Sequence, residues 1–182
     1  MTVHSTKTDN ASIPNKIFLR QKATQHLSAL RVLDLYAGEN VLWQQFCTER
    51  YYGIELIKGK GKNLHGDNRR IVEALDLSGF NVIDCDSYGI PFDVMLRLFQ
   101  NKTLQPGTTI IYTAISSRLS SLNRECLRMF RLSRLCKKCP SLIHAKGLDF
   151  FYAMLEKHGV NAVYYYREKT SFDKHYGYFV VQ

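Results

Sequence analysis

The stretch Arg31-Val-Leu-Asp-Leu-Tyr-Ala-Gly-Glu-Asn40 decides the fold. Val32, Leu33 and Leu35 form a short apolar run that breaks at Ala37-Gly38, and a second apolar pattern opens at Val41-Leu42-Trp43 and Phe46. A continuous apolar run, a glycine turn and a helically spaced run predict strand, turn and helix. In an α/β sheet such a turn lies at the carboxyl edge of a strand. There Gly38 lets the backbone approach a ligand, and the following helix presents unpaired N–H groups. Downstream, Tyr51-Tyr-Gly-Ile-Glu55 reads as a second strand ending in an acid. It falls about twenty residues after Asp34, the spacing at which a carboxylate meets the two hydroxyls of a nucleoside ribose.

Outward from this core the alternation continues. Asn63-Leu-His-Gly-Asp67 predicts a short third strand, and Asp67 or Asn68 can cap a helix carrying Ile71, Val72 and Leu75. Phe80-Asn-Val-Ile-Asp84 predicts a fourth strand running into Cys85-Asp86-Ser87-Tyr88-Gly89-Ile90-Pro91, with Pro91 suited to the first turn of a helix from Phe92 to Phe99. Thr108 to Thr113 predicts a fifth strand and Leu148 to His158 a helix closed by Gly159. Val160 to Tyr166 and Tyr176 to Val181 are β-rich runs with no room between them for a crossover helix, so they pair as an antiparallel hairpin. The expected fold is therefore α/β, a mostly parallel sheet with helices on both faces and a C-terminal antiparallel hairpin.

The 182 residues, 45% of them hydrophobic, suffice for one domain with a substantial core. The first dozen or so residues are polar, and the expected organisation is a flexible tail over 1–14 followed by a single domain over 15–182. The opening residues lack an apolar signal core and no run of about twenty apolar residues occurs, so a cytosolic protein without a membrane span is expected. Five cysteines, an odd number, fit reduced thiols. Cys136-Lys-Lys-Cys139, with Cys126 and His144, lacks the second regular ligand pair of a structural zinc site, so no metal is expected. Nothing in the sequence sets the oligomeric state.

A formal net charge of +9 points to a polyanionic partner. Ile17, Phe18, Ala23 and Leu27, with Lys16, Arg20 and Lys22 between them, predict a basic amphipathic helix covering the sheet. Lys58-Gly-Lys-Gly-Lys62 lacks the order of a phosphate-binding loop and reads as a mobile basic loop. In an added helical segment at about 116–146, Arg124, Arg128, Arg131, Arg134 and Lys138 follow steps of three and four. On one helix they fall within an arc of about 120°, opposite Leu122, Cys126, Met129 and Phe130. Such a stripe fits a phosphate track.

From about Ile17 to Gln182 the chain resembles the class I S-adenosylmethionine-dependent methyltransferases. Asp34-Leu-Tyr-Ala-Gly-Glu-Asn40 is similar to the family's first motif, an acid followed by a Gly-containing turn. Glu55 matches its ribose-binding acid, and Asp67 falls at the third motif, where a side-chain acid and a neighbouring backbone N–H contact adenine. Asp86-Ser-Tyr-Gly89 resembles the fourth motif, nearest to the Asp-Pro-Phe-Gly of the tRNA guanine N-dimethyltransferases. The resemblance implies a Rossmann-like sheet of seven strands with S-adenosylmethionine as cofactor, held by Asp34, Tyr36, Gly38, Asn40, Glu55, Asp67, Asn68 and Asp84. It implies a nucleic-acid acceptor, RNA rather than DNA, methylated on an exocyclic base amine, guanine first, as in tRNA processing.

Asp86, Ser87 and Tyr88 would then be the catalytic group. An exocyclic amine is a poor nucleophile, because its lone pair is delocalised into the ring. Hydrogen bonds to Asp86 and to backbone around Ser87 localise that pair, and Tyr88 stacks on the base. Two departures from the family stand out. Asn40 replaces the last glycine of the first motif, at a turn position Asn can occupy. Ser87 replaces a proline, so a less rigid loop is expected. A methyltransferase for a small molecule or protein, and a non-catalytic S-adenosylmethionine- or nucleic-acid-binding module, remain open alternatives.

Overall fold

The central strands β1 and β4 are buried on both faces, and the computed structural model places seven strands in one sheet of order β3-β2-β1-β4-β5-β7-β6. It describes residues 12–56, 64–116, 124–160, 164–169 and 173–182, so the Lys58–Lys62 loop lies outside the described residues. β1 (Arg31–Asp34) is flanked by β2 (Arg50–Glu55) and β4 (Val82–Asp86), both parallel to it. β3 (Leu64–His65) extends the sheet beyond β2, and β5 (Thr109–Ser116) lies parallel beside β4. β7 (Asp173–Val180) is antiparallel to β5 and to the edge strand β6 (Tyr164–Lys169). The expected seven-stranded sheet and its antiparallel hairpin are thus observed.

One face packs α2 (Asn68–Ala74), α3 (Phe92–Gln100) and α7 (Gly147–Lys157) over a core that includes Leu33, Ile83, Ile110, Tyr112 and Phe179. The other packs α1 (Ile13–Thr24) and Trp43 over Val32, Val82, Ile111 and Tyr176. Among the described residues no helix is long and apolar enough to cross a membrane.

Several boundaries differ from the sequence reading. Helix α1 starts two residues before Asn15, with Pro14 in its first turn, so residues 12–14 belong to the folded unit rather than to a tail. β4 runs on to Asp86, because its register with Thr113 continues two residues past Asp84. Val160 is not in a strand, residues 161–163 lie outside the described residues, and β6 is described from Tyr164.

Two corrections are larger. Between β1 and β2 there is no α-helix but a single 3-10 turn, Trp43–Gln45. The connection is short, its first part is spent on a turn with Gly38 at φ 54° and Asn40 at φ 64°, and its last part lies extended, Glu49 N–H donating to the Leu30 carbonyl. The predicted stripe helix is also broken. α4 (Arg124–Met129) and α5 (Ser133–Lys138) are separated by Arg131 at φ 56°, and α6 (Pro140–Ala145) follows. Met129, Phe130 and Leu132 all pack against the core, and no single straight helix can aim residues so spaced at one surface. Arg128, Arg131, Arg134 and Lys138 are exposed, on two short helices and the bend between them rather than along one arc.

Candidate functional site at the carboxyl edge of the sheet

The parallel strands β1, β2 and β4 end on one edge, and a cavity of about 520 Å³ opens there between β1, β2 and the N-termini of α2 and α3. Leu35, Ile54, Leu56, Ile90 and Phe92 give it apolar walls, and Tyr36, Glu55, Asp67, Asn68, Arg69 and Asp93 its polar groups. Glu55 Oε2 accepts the Gly38 N–H at 3.0 Å, so the acid at the end of β2 braces the turn after β1. Asp67 caps α2, accepting the Arg69 N–H at 3.0 Å, and also takes that residue's guanidinium. Asn68 donates to the Leu35 carbonyl at 3.0 Å. Burial first, then the charge neighbours Cys85 and Asp93, push the Tyr36 phenol up against its hydrogen bond with Asn68.

Four of the expected cofactor residues, Tyr36, Glu55, Asp67 and Asn68, are brought together here. Asp34, Gly38, Asn40 and Asp84 do not line the cavity. Gly38 and Asn40 shape the turn beside it. Both take positive φ, and the left-handed conformation anticipated for Asn40 is the one it adopts.

Asp84 is corrected outright. Its side chain is 0% exposed beneath α1 and accepts Arg20 Nε at 2.8 Å and Trp43 Nε1 at 2.7 Å. It organises the opposite face of the sheet and does not reach the cavity. Burial pushes its carboxyl up, against the Arg20 guanidinium, which favours the charged form. The sequence pattern had put Phe18 of α1 inward and Arg20 outward. The structure reverses them, with Arg20 1% and Phe18 57% exposed. Asp84 and Asp86, on the sheet face beneath α1, demand a buried cation more strongly than the core demands one more ring. Burial alone would lower the Arg20 pKa, but Asp84, Asp86 and Asp34 together raise it.

Asp86 lies beside this cluster. Its Oδ2 accepts Lys16 Nζ at 2.8 Å, and Arg20 stands 3.6 Å away. Burial raises its carboxyl, but Lys16 and Arg20 prevail and hold it below the usual range. Its Oδ1 is buried and has no hydrogen-bond partner among the described residues. Ser87 is buried, and its N–H donates to the Cys85 carbonyl at 2.8 Å. Its hydroxyl is shared between the carbonyls of Gly89, 2.9 Å, and Thr113, 3.1 Å. The loop expected to loosen without proline is pinned instead, partly by an N–H that proline lacks. Tyr88 is 65% exposed at its tip.

Asp34 accepts the Tyr36 N–H at 3.1 Å and the Tyr51 hydroxyl at 3.0 Å, and the Asn40 side-chain oxygen lies 2.9 Å from that same hydroxyl. Burial, then the Asp84 charge, push its carboxyl up to about 8. The folded protein therefore keeps a proton that the unfolded chain releases near its ordinary value of about 4. The stability this proton confers is complete below about pH 4 and is lost as pH rises through about 8. Asp34→Asn is expected to remove that slope, so that the excess of the urea midpoint at about pH 5 over that at about pH 8 shrinks. An undiminished difference would mean that Asp34 is ionised when folded.

The sequence reading missed Lys16, Arg20, Trp43 and Arg69. The signal for the first two was present in the i, i+4 spacing of Lys16 and Arg20 on a helix without acids, set against carboxylates inside apolar strands.

The chain matches no protein-family model and no curated protein sequence. Solved structures do resemble it. Trm1 from Pyrococcus horikoshii, determined with S-adenosyl-L-methionine, superposes with a TM-score of 0.59 at 13% identity over 96% of this chain and 56% of that one. The N-methyltransferase NodS from Bradyrhizobium japonicum gives 0.57 at 13% identity, covering 95% of this chain and 98% of NodS. A SAM-dependent methyltransferase from Archaeoglobus fulgidus gives 0.54 at 14% identity, over 92% and 93%. With the strand order and the terminal hairpin, these likenesses establish that the chain has the Rossmann-like fold of the S-adenosylmethionine-dependent methyltransferases.

Proposed function

We propose that this protein is an S-adenosylmethionine-dependent methyltransferase. The observation that carries the reading is the cavity at the carboxyl edge, where Glu55 is joined to the turn after β1 and faces Asp67 and Asn68 across apolar walls. That donor set fits an adenosine: a carboxylate for vicinal hydroxyls, polar groups at a helix start for the ring edge, and Leu56, Ile90 and Phe92 for its faces. Glu55, Asp67, Asn68 and Tyr36 would hold the cofactor, with Gly38 and Asn40 keeping the turn open beside it. When bound, S-adenosylmethionine supplies an electrophilic methyl group.

The proposed acceptor is nucleic acid, with an exocyclic base amine, guanine in RNA first, as the methylated group. Support comes from Asp86 at the same edge, whose carboxyl Lys16 and Arg20 hold below the usual range so that it can accept an amine N–H, and from the net charge of +9. Ser87 orients the loop and Tyr88 offers a ring for stacking. Arg128, Arg131, Arg134 and Lys138, with Arg124, are proposed to contact phosphates, and the chain from α1 to Gln182 to form one methyltransferase domain with α4–α6 in its insertion.

Glu55→Gln keeps the Gly38 contact but loses the charge. It is expected to weaken S-adenosylmethionine binding by one to two orders of magnitude, the worth of charge-assisted bonds of roughly 1.5–3 kcal/mol. Calorimetry with unchanged affinity would remove the cavity from the cofactor assignment. Transfer of labelled methyl groups to separate RNA, DNA and protein pools tests the acceptor, and label confined to protein would overturn the nucleic-acid reading.

A further inference from the structure

The cavity at the carboxyl edge is lined by three carboxylates, Glu55, Asp67 and Asp93, and, among the described residues, by a single cation, Arg69. The Arg69 guanidinium folds back onto the acid two residues before it. Nε donates to Asp67 Oδ1 at 2.9 Å and Nη2 to Asp67 Oδ2 at 2.7 Å, a two-pronged fork that holds the guanidinium in the plane of the carboxylate. The third nitrogen, Nη1, stands 3.8 Å from Asp93 Oδ2 on α3. Each nitrogen of the group thus faces a carboxylate, and what it has left to offer a ligand in the cavity is its flat face. Asp67 is occupied to match. Its Oδ1 also accepts the Arg69 N–H at 3.0 Å, so three of its roughly four acceptor positions are taken by Arg69.

Carboxylates on both sides of this cation disfavour an anionic ligand on it. A neutral planar ring is suited instead, because a guanidinium is weakly hydrated and stacks on aromatic faces. We propose that Arg69 is a cofactor-binding residue that stacks on the adenine ring of S-adenosylmethionine, and that Asp67 acts through it as a positioning residue. The apolar side chains of Leu56, Ile90 and Phe92 then cover the rest of the ring. The fork exists before the ligand arrives, so little side-chain entropy is lost on stacking. The proposal rests on the cofactor reading above. It changes how the base is held, by the face of Arg69 rather than by the direct acid contact that the family resemblance implies for Asp67.

The test is titration calorimetry with S-adenosylmethionine, with melting curves for each variant. Arg69→Ala is expected to weaken binding about three- to thirtyfold, the worth of a cation stacked on a ring. Arg69→Lys keeps the charge but not the plane and should recover little of that loss. Asp67→Asn is expected to weaken binding as well, by loosening the fork. The Asp67→Asn/Arg69→Ala pair should bind no more weakly than Arg69→Ala alone, since Asp67 has nothing left to position. Melting curves should stay near wild type, because Arg69 is half exposed and Asn caps a helix about as well as Asp. A further loss in the double variant would show that Asp67 touches the base itself and would overturn its positioning role. Arg69→Ala binding as tightly as wild type, or more tightly, would overturn the stacking while leaving the cofactor reading intact. Wild-type protein that binds no S-adenosylmethionine would defeat that reading and this proposal together.

Discussion

Arg20→Met is expected to destabilise the protein by about 3–5 kcal/mol, the typical consequence of removing one partner from a buried ion pair. Arg20 and Asp84 are both sealed beneath α1, so neither can turn to water when the other is removed. The indole N–H of Trp43 would remain on Asp84 Oδ2 but cannot neutralise it. Removing the charge from both sides separates the electrostatic effect from simple loss of packing. The Arg20→Met/Asp84→Asn pair leaves no uncompensated charge between these two positions and should recover a substantial part of the loss. Urea unfolding of the two variants beside wild type checks this, and a single-variant loss below about 1 kcal/mol would show that water reaches Asp84.

Asp86→Asn is expected to lower methyl transfer at least about a hundredfold, the scale on which one preorganised electrostatic contact is removed from a transition state. The substitution preserves volume and an oxygen for Lys16, so the α1 contact survives while the carboxylate charge does not. Cofactor affinity should stay near wild type, because Asp86 does not line the cavity. Loss of turnover with retained binding would place Asp86 on the acceptor side of the reaction. Full turnover in Asp86→Asn would remove the residue from the catalytic assignment.

The sheet was legible because its strands write themselves as apolar runs. Val32 and Leu33, and Val82 and Ile83, are buried on opposite faces, as neighbours in a doubly covered strand must be. The cap at Asp67 and the turn at Asn40 were legible too, since each depends on a residue's own backbone and side-chain chemistry. Trp43 and Arg20 were not. The helix expected at Val41–Phe46 gave way because Trp43 serves tertiary packing and an Asp84 hydrogen bond, and no local pattern reports a partner 41 residues away. Arg20 was taken for a solvated cation because polarity normally marks the outer face of a helix, a rule that fails when the covered surface is itself acidic. The arginine stripe failed for a related reason. Its spacing was helical, but Phe130 and Leu132 needed a bend to reach the core.

The position of β7 between β5 and β6 governs how the sheet is assembled. β6 comes earlier in the chain yet, among the described residues, pairs with the sheet only through β7, so its place at the edge depends on β7. Gly177 sits at the middle of that seam, where a Cβ would collide with the Tyr112 ring and the Tyr164 carbonyl, so the hairpin closes down on a buried tyrosine. Any side chain at position 177 would therefore have to part β7 from Tyr112 or from β6.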